Sequence, residues 1–179
     1  MKKSRNMLSI FFMIFVCFYL LSPSSFPAQA QPFAYVTNAG INSVSAIDTA
    51  TNTVTANVSV GFYPFGVAVG PDGKNVYVVN AWNGTVSVID TATNTVTATV
   101  SVGSGPMEIA VTPDGKNAYV TNASSYTVSV IDTATNSVTA TVFMGDYLAG
   151  LAVTPDGKSV YVVRVYSGTV SVIDAAQIL

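Results

Sequence analysis

The chain has no histidine, and its one cysteine, Cys17, sits in an apolar stretch near the N-terminus. Lack of histidine removes the commonest general acid–base and the commonest metal ligand. With no cysteine beyond Cys17, the rest of the chain has neither a thiolate nucleophile nor a disulfide staple. Its order must come from packing and hydrogen bonds. Charge is scarce too, at 9% of residues. With Lys2, Lys3 and Arg5 set aside, four basic residues face nine acidic ones, a net charge of −5. That excludes the basic patches of nucleic-acid binders and argues against an anionic membrane surface. No G-x-S-x-G and no Gly-rich phosphate loop occurs, which removes two common routes to acyl and phosphoryl chemistry.

The N-terminus has a separate role. Lys2, Lys3 and Arg5 precede an apolar run, Met7 to Leu21, whose clearly polar member is Ser9. Ser22-Pro23-Ser24-Ser25 and then Ala28-Gln29-Ala30 follow. This is the layout of a secretory signal peptide over residues 1–30, with cleavage after Ala30. The run is shorter than the ~20 residues a spanning helix needs, so no membrane insertion is expected after cleavage. The expected location is secreted or cell-surface, or periplasmic in a Gram-negative source.

From residue 31 to 179 the sequence repeats. Tyr35-Val36-Thr37-Asn38 recurs as Tyr77-Val78-Val79-Asn80, Tyr119-Val120-Thr121-Asn122 and Tyr161-Val162-Val163-Arg164, in steps of 42. Within a repeat, Gly66-Val67-Ala68-Val69 is an apolar run, and Gly70-Pro71-Asp72-Gly73-Lys74 is a turn in which Gly73 can take φ > 0. Val76-Val79, Thr85-Ile89 and Thr95-Val102 are β-branched runs, the last two alternating with period two. Asp90-Thr91-Ala92-Thr93-Asn94 is a second turn. Four short strands per repeat of this length predict an all-β protein of four-stranded antiparallel β-propeller blades. Blades are expected at 65–102 and 107–144, with incomplete ones at 31–60 and 149–174.

Thr112-Pro113-Asp114-Gly115-Lys116-Asn117-Ala118-Tyr119-Val120-Thr121-Asn122, with Thr127-Val128-Ser129-Val130-Ile131-Asp132-Thr133-Ala134-Thr135-Asn136, resembles the YVTN family of β-propeller repeats. The resemblance covers essentially all of 31–179. It implies similarity to surface-layer and other secreted proteins, and complete members resemble seven-bladed propellers. Arg164 at the asparagine position and Gly70 where other copies have Thr112 and Thr154 depart from the pattern. Complete propellers resembling this one include lactone hydrolases and quinone-dependent dehydrogenases, which makes a propeller enzyme the rival reading.

The predicted strands make a partial ring of about three and a half blades, half of a seven-bladed one. A blade face is roughly 300 Å², so covering one is worth up to ~8 kcal/mol. Self-association to complete a ring is one expected solution. A fragment of a longer propeller without independent function is another.

Candidate chemistry lies where the repeat varies. Asp48, Asp90, Asp132, Asp174, Asp72, Asp114 and Asp156 recur in turns, where aspartate bonds its own backbone. One end of each blade is nearly invariant. The loops at the other end vary and carry Tyr63, Trp82, Glu108, Tyr126, Tyr147 and Tyr166, with Asp146. Exposed aromatics suit a recognition face. The reading is a non-enzymatic scaffold with no catalytic residue, metal or cofactor, and an extracellular protein or glycan as ligand. Asn57, Asn83 and Asn122 match glycosylation acceptors.

Overall fold

The computed structural model describes residues 33–178. The expected signal peptide and cleavage site lie outside the described residues. Fourteen strands follow in order: β1 (Phe33–Asn38), β2 (Ser43–Asp48), β3 (Thr53–Ser59), β4 (Pro64–Val69), β5 (Asn75–Asn80), β6 (Thr85–Asp90), β7 (Thr95–Ser101), β8 (Pro106–Val111), β9 (Asn117–Asn122), β10 (Thr127–Asp132), β11 (Ser137–Phe143), β12 (Leu148–Val153), β13 (Ser159–Arg164) and β14 (Thr169–Asp174). They form four antiparallel meanders: β1–β3, β4–β7, β8–β11 and β12–β14. The fold is a run of β-propeller blades, with three strands described in the first and last and four in each middle blade.

Three cores lie between blades rather than one inside them. Tyr35, Val44 and Ala46 of the first blade meet Val67, Val76, Val78 and Ile89 of the second. Tyr77, Val79, Val86 and Val88 then meet Ile109, Ala118, Val120 and Ile131. Tyr119, Val128 and Val130 meet Leu148, Val160, Val162 and Ile173. Period-two alternation gives each blade two apolar faces, and the next blade covers one of them.

The repeated tetrapeptide connects neighbouring blades. Its tyrosine is buried in the first three copies, and Tyr77 reaches the side chain of Thr133 in the next blade. Its threonine donates to the innermost strand of the next blade, Thr37 to the Phe65 carbonyl at 2.9 Å and Thr121 to that of Ala149 at 2.8 Å. Its asparagine binds within the blade: Asn80 Nδ2 donates to Thr85 Oγ1 at 3.0 Å and Ser87 Oγ at 2.9 Å. Asn122 does the same to Thr127 and Ser129.

The turns behave as their residues dictate. Gly73, Gly115 and Gly157 lie at φ 72°, 74° and 72°, where a Cβ would be strained. All seven repeated aspartates accept local turn bonds, such as Asp90 from the Thr93 amide and hydroxyl, and Asp72 from the Lys74 amide.

The two central strands of the middle blades are the most enclosed, with Val111 of β8 only half-buried while β9 is buried throughout. The innermost strands border the axis, so one side of each stays open. One expectation needs correction: the variable loop before each innermost strand is shorter than expected. Pro64, Pro106 and Leu148 already pair in strands, and Glu108 belongs to β8.

Candidate functional site

The variable end of each blade is built by extending the ladder between its first two strands. Past the Pro64–Asn80 pair, the Ala81 amide donates to the Tyr63 carbonyl at 3.0 Å. Ala123 donates to Gly105 at 2.9 Å, and Val165 to Tyr147 at 2.8 Å. The loop before the innermost strand is thereby zipped to the loop after the second. Positions 63, 105 and 147 sit beside positions 82, 124 and 166.

That register pairs four of the six candidate residues. The Tyr63 and Trp82 rings stack, with centroids 5.1 Å apart and planes 6° from parallel. Tyr147 and Tyr166 meet at 5.5 Å, tilted by 44°. Between them the third blade carries Gly105 against Ser124. Two aromatic pairs therefore flank a blade of small residues. Trp82 is 76% exposed and Tyr166 75%, so Tyr63 covers one ring face of Trp82 and the other is open.

Side chains lock each zipped pair differently. Asn83 accepts from the Phe62 amide, and Asn42 from the Tyr63 amide. In the last blade Asp146 accepts from the Tyr166 amide at 3.0 Å, the Ser167 amide at 3.1 Å and the Ser167 hydroxyl at 2.6 Å. The Ser167 hydroxyl above all, with the backbone amides of Tyr166, Ser167 and Tyr147, holds the Asp146 carboxyl below its ordinary range against its burial. Arg164 Nε lies 3.5 Å from Asp146, an ion pair rather than an aligned hydrogen bond. The departure from asparagine at Arg164 thus places a cation beside the buried acid that holds the Tyr166 amide.

The other two candidates stand apart. Tyr126 lies at a loop tip with φ 60° and has no ring partner among the described residues. Glu108 is not on the loop face. It occupies the irregularity of β8 between the Pro106 and Ile109 pairings, half-buried against the neighbouring inner strand. A Cβ on Gly66 would come within 2.7 Å of the Met107 carbonyl and 2.9 Å of Glu108 Oε1. Burial pushes the Glu108 carboxyl above its ordinary value, opposed by the Ile109 amide. Among the described residues no three acids, histidines or cysteines gather to hold a metal.

Sequence reasoning found the aromatics but not their pairing. The signal was available: positions 63 and 82 recur two repeats later as 147 and 166, and the strand register makes each pair neighbours.

Of the acceptor matches, Asn122 is fully buried with its amide committed to Thr127 and Ser129. The folded protein offers no attachment point there.

Beside the Tyr63–Trp82 pair, a cleft of about 430 Å³ opens between the first and second blades. Ser59, Asn80, Asn83, Thr85, Ser87 and Thr99 supply its polar lining.

A family model described as YNCE-like beta-propeller matches residues 17–123 and 75–147. Among solved structures, the hydrazine synthase of Kuenenia stuttgartiensis superposes with a TM-score of 0.78 at 28% identity, covering 90% of this chain and 51% of that one. The chain therefore spans about half the length of that structure. No curated protein matches it.

Proposed function

The chain belongs to the YNCE-like β-propeller family, and from that premise we propose that it is a secreted or surface-attached recognition scaffold without catalysis of its own. Its binding surface is the variable loop face. The observation that carries this reading is the pair of aromatic contacts, Tyr63–Trp82 and Tyr147–Tyr166. The repeated polar residues are engaged in turns and blade contacts. The exposed, non-repeating aromatics are not needed by that framework, and such residues concentrate binding energy.

The similarity to a hydrazine synthase supports the framework. Glu108 is the residue on which an enzymatic rival would rest, as the half-buried acid nearest the axis. Capture from envelope and culture-fluid extracts tests the proposal. The protein should retain ligands that a Tyr63→Ala, Trp82→Ala, Tyr147→Ala, Tyr166→Ala variant loses while melting at the same temperature. Turnover of a lactone, or quinone-dependent dye reduction, abolished by Glu108→Gln would overturn it. Export is tested by N-terminal sequencing of secreted protein, which should begin at Gln31.

A further inference from the structure

We infer that the cleft between the first and second blades, together with the open face of Trp82, is a subsite for a neutral glycan. This rests on the loop face being the binding surface and adds the chemical class of the ligand. Three observations support it.

The polar lining of the cleft is hydroxyls and amides, set among Val60, Phe62 and Val96, with no charged side chain. A charged ligand would be desolvated there without a counter-charge. A neutral polyhydroxylated one finds hydroxyl and amide partners beside apolar surface for its C–H faces.

One of its hydroxyls is preset as a donor. Asn80 is fully buried, and its Nδ2 donates to both Thr85 Oγ1 and Ser87 Oγ. Ser87 is itself buried, so Thr85 is the member of this cluster that can reach a ligand. Its oxygen accepts from Asn80, and its proton has no acceptor among the described residues. In the third blade the equivalent Thr127 shares a proton with Ser125 at 3.0 Å.

The wall above the cleft is aromatic. Phe62 and Asn83 line the cleft, and their chain neighbours Tyr63 and Trp82 stack beside it. A pyranose presents C–H bonds on one face and hydroxyls around its rim. The electron-rich face of an indole attracts the first, and the cleft takes the second. The small Gly105 and Ser124 leave room for a linear chain to continue toward Tyr147 and Tyr166.

Trp82 is the single tryptophan, so its fluorescence reports on this site alone. The full chain is titrated with cellotetraose, xylotetraose and chitotetraose, following emission. At least one should give a saturable change, weakened at least about tenfold by Tyr63→Ala and by Thr85→Val, with the fold of each variant checked by thermal melting. Trp82→Ala, read by calorimetry, should abolish binding. Saccharide binding that both variants leave intact places the site elsewhere and overturns the inference. No saccharide binding while envelope proteins are still captured through the four aromatics overturns it and leaves the proposed function standing. No binding of either kind sinks both.

Discussion

β6, β10 and β14 carry the same hexapeptide, Thr-Val-Ser-Val-Ile-Asp. In the two middle blades its valines are buried. In the last described blade Val170 and Val172 are 58% and 57% exposed. Tyr161 is 46% exposed, although Tyr77 and Tyr119, at the same place in the repeat, are buried. Identical strands therefore differ in burial, and what differs is the neighbour. A strand sequence specifies a face able to pack. The adjacent blade decides whether that face contributes the ~25 cal/mol per Å² of burial.

The sharpest way to break this comparison is one substitution made in two copies. Val128→Asp puts a charge between the third and fourth blades and should cost at least about 4 kcal/mol. Val170→Asp, at the same place in β14, should change stability by less than about 0.5 kcal/mol. Urea melts of both variants decide it. Equal penalties would mean that the last face is covered in solution. If a second copy covers it, the Val170→Asp penalty grows with protein concentration; in a monomer it does not.

A second, smaller test uses the tyrosines. The Tyr77 hydroxyl has the Thr133 hydroxyl of the next blade as its polar neighbour. One repeat on, that threonine is Ala175, which packs in the same cluster as Tyr119. The Tyr119 hydroxyl is buried with no partner among the described residues. Tyr77→Phe should then cost about 1 kcal/mol, and Tyr119→Phe should be neutral or stabilising. Ala175→Thr should stabilise by up to about 1 kcal/mol, a gain that vanishes in the Tyr119→Phe background. A full cost for Tyr119→Phe would show that its hydroxyl is satisfied.

The blades were legible in the sequence because turn chemistry and period-two alternation are local. Gly73, the repeated aspartates and the β-branched runs each specify their own conformation. What joins blades was less legible. The roles of Tyr77, Thr37 and Thr121 depend on atoms 28 to 56 residues away, which no short window contains. Glu108 was misplaced for a related reason. The strand irregularity after Pro106 shifts the register of β8, so loop-like spacing in sequence is strand in space. The candidate site was half legible: its aromatics stood out from the repeat, whereas the cleft arises only where two blades diverge.

The inner strands extend the comparison. Gly66, Glu108 and Gly150 are equivalent positions, and the third blade alone puts an acid there. Burial raises the Glu108 carboxyl above its ordinary value of 4.5. The folded state therefore keeps this proton to a higher pH than the unfolded state does. Stability should fall as pH rises from about 4.5 through the raised folded value, and stay level above it. Glu108→Gln should remove that fall, so the variant is the more stable form at neutral pH. Melting temperature against pH for both proteins measures the difference, and parallel curves would show that Glu108 is solvated.

The smallest expected effect compares two turns. In the third and fourth blades, Thr112 and Thr154 donate their hydroxyls to Asp114 and Asp156 at 2.6 Å. These bonds, above the others, hold both carboxyls below the ordinary value of 3.8. The second blade has Gly70 in their place, and Asp72 caps the turn without a hydroxyl. A Cβ on Gly70 would sit 3.4 Å from Asp72 Oδ1 and 3.5 Å from the Asn75 carbonyl. That first distance is close enough for a threonine hydroxyl to reach the carboxylate and loose enough to avoid a clash. Gly70→Thr should stabilise by about 0.5 kcal/mol, partly by restricting the unfolded chain. Gly70→Ala separates the two contributions, because it keeps the restriction and omits the hydroxyl. The margin of threonine over alanine then measures the hydroxyl's bond to the Asp72 carboxylate, and it should vanish in an Asp72→Ala background. A margin that survives there would show that the hydroxyl bonds the Asn75 carbonyl instead.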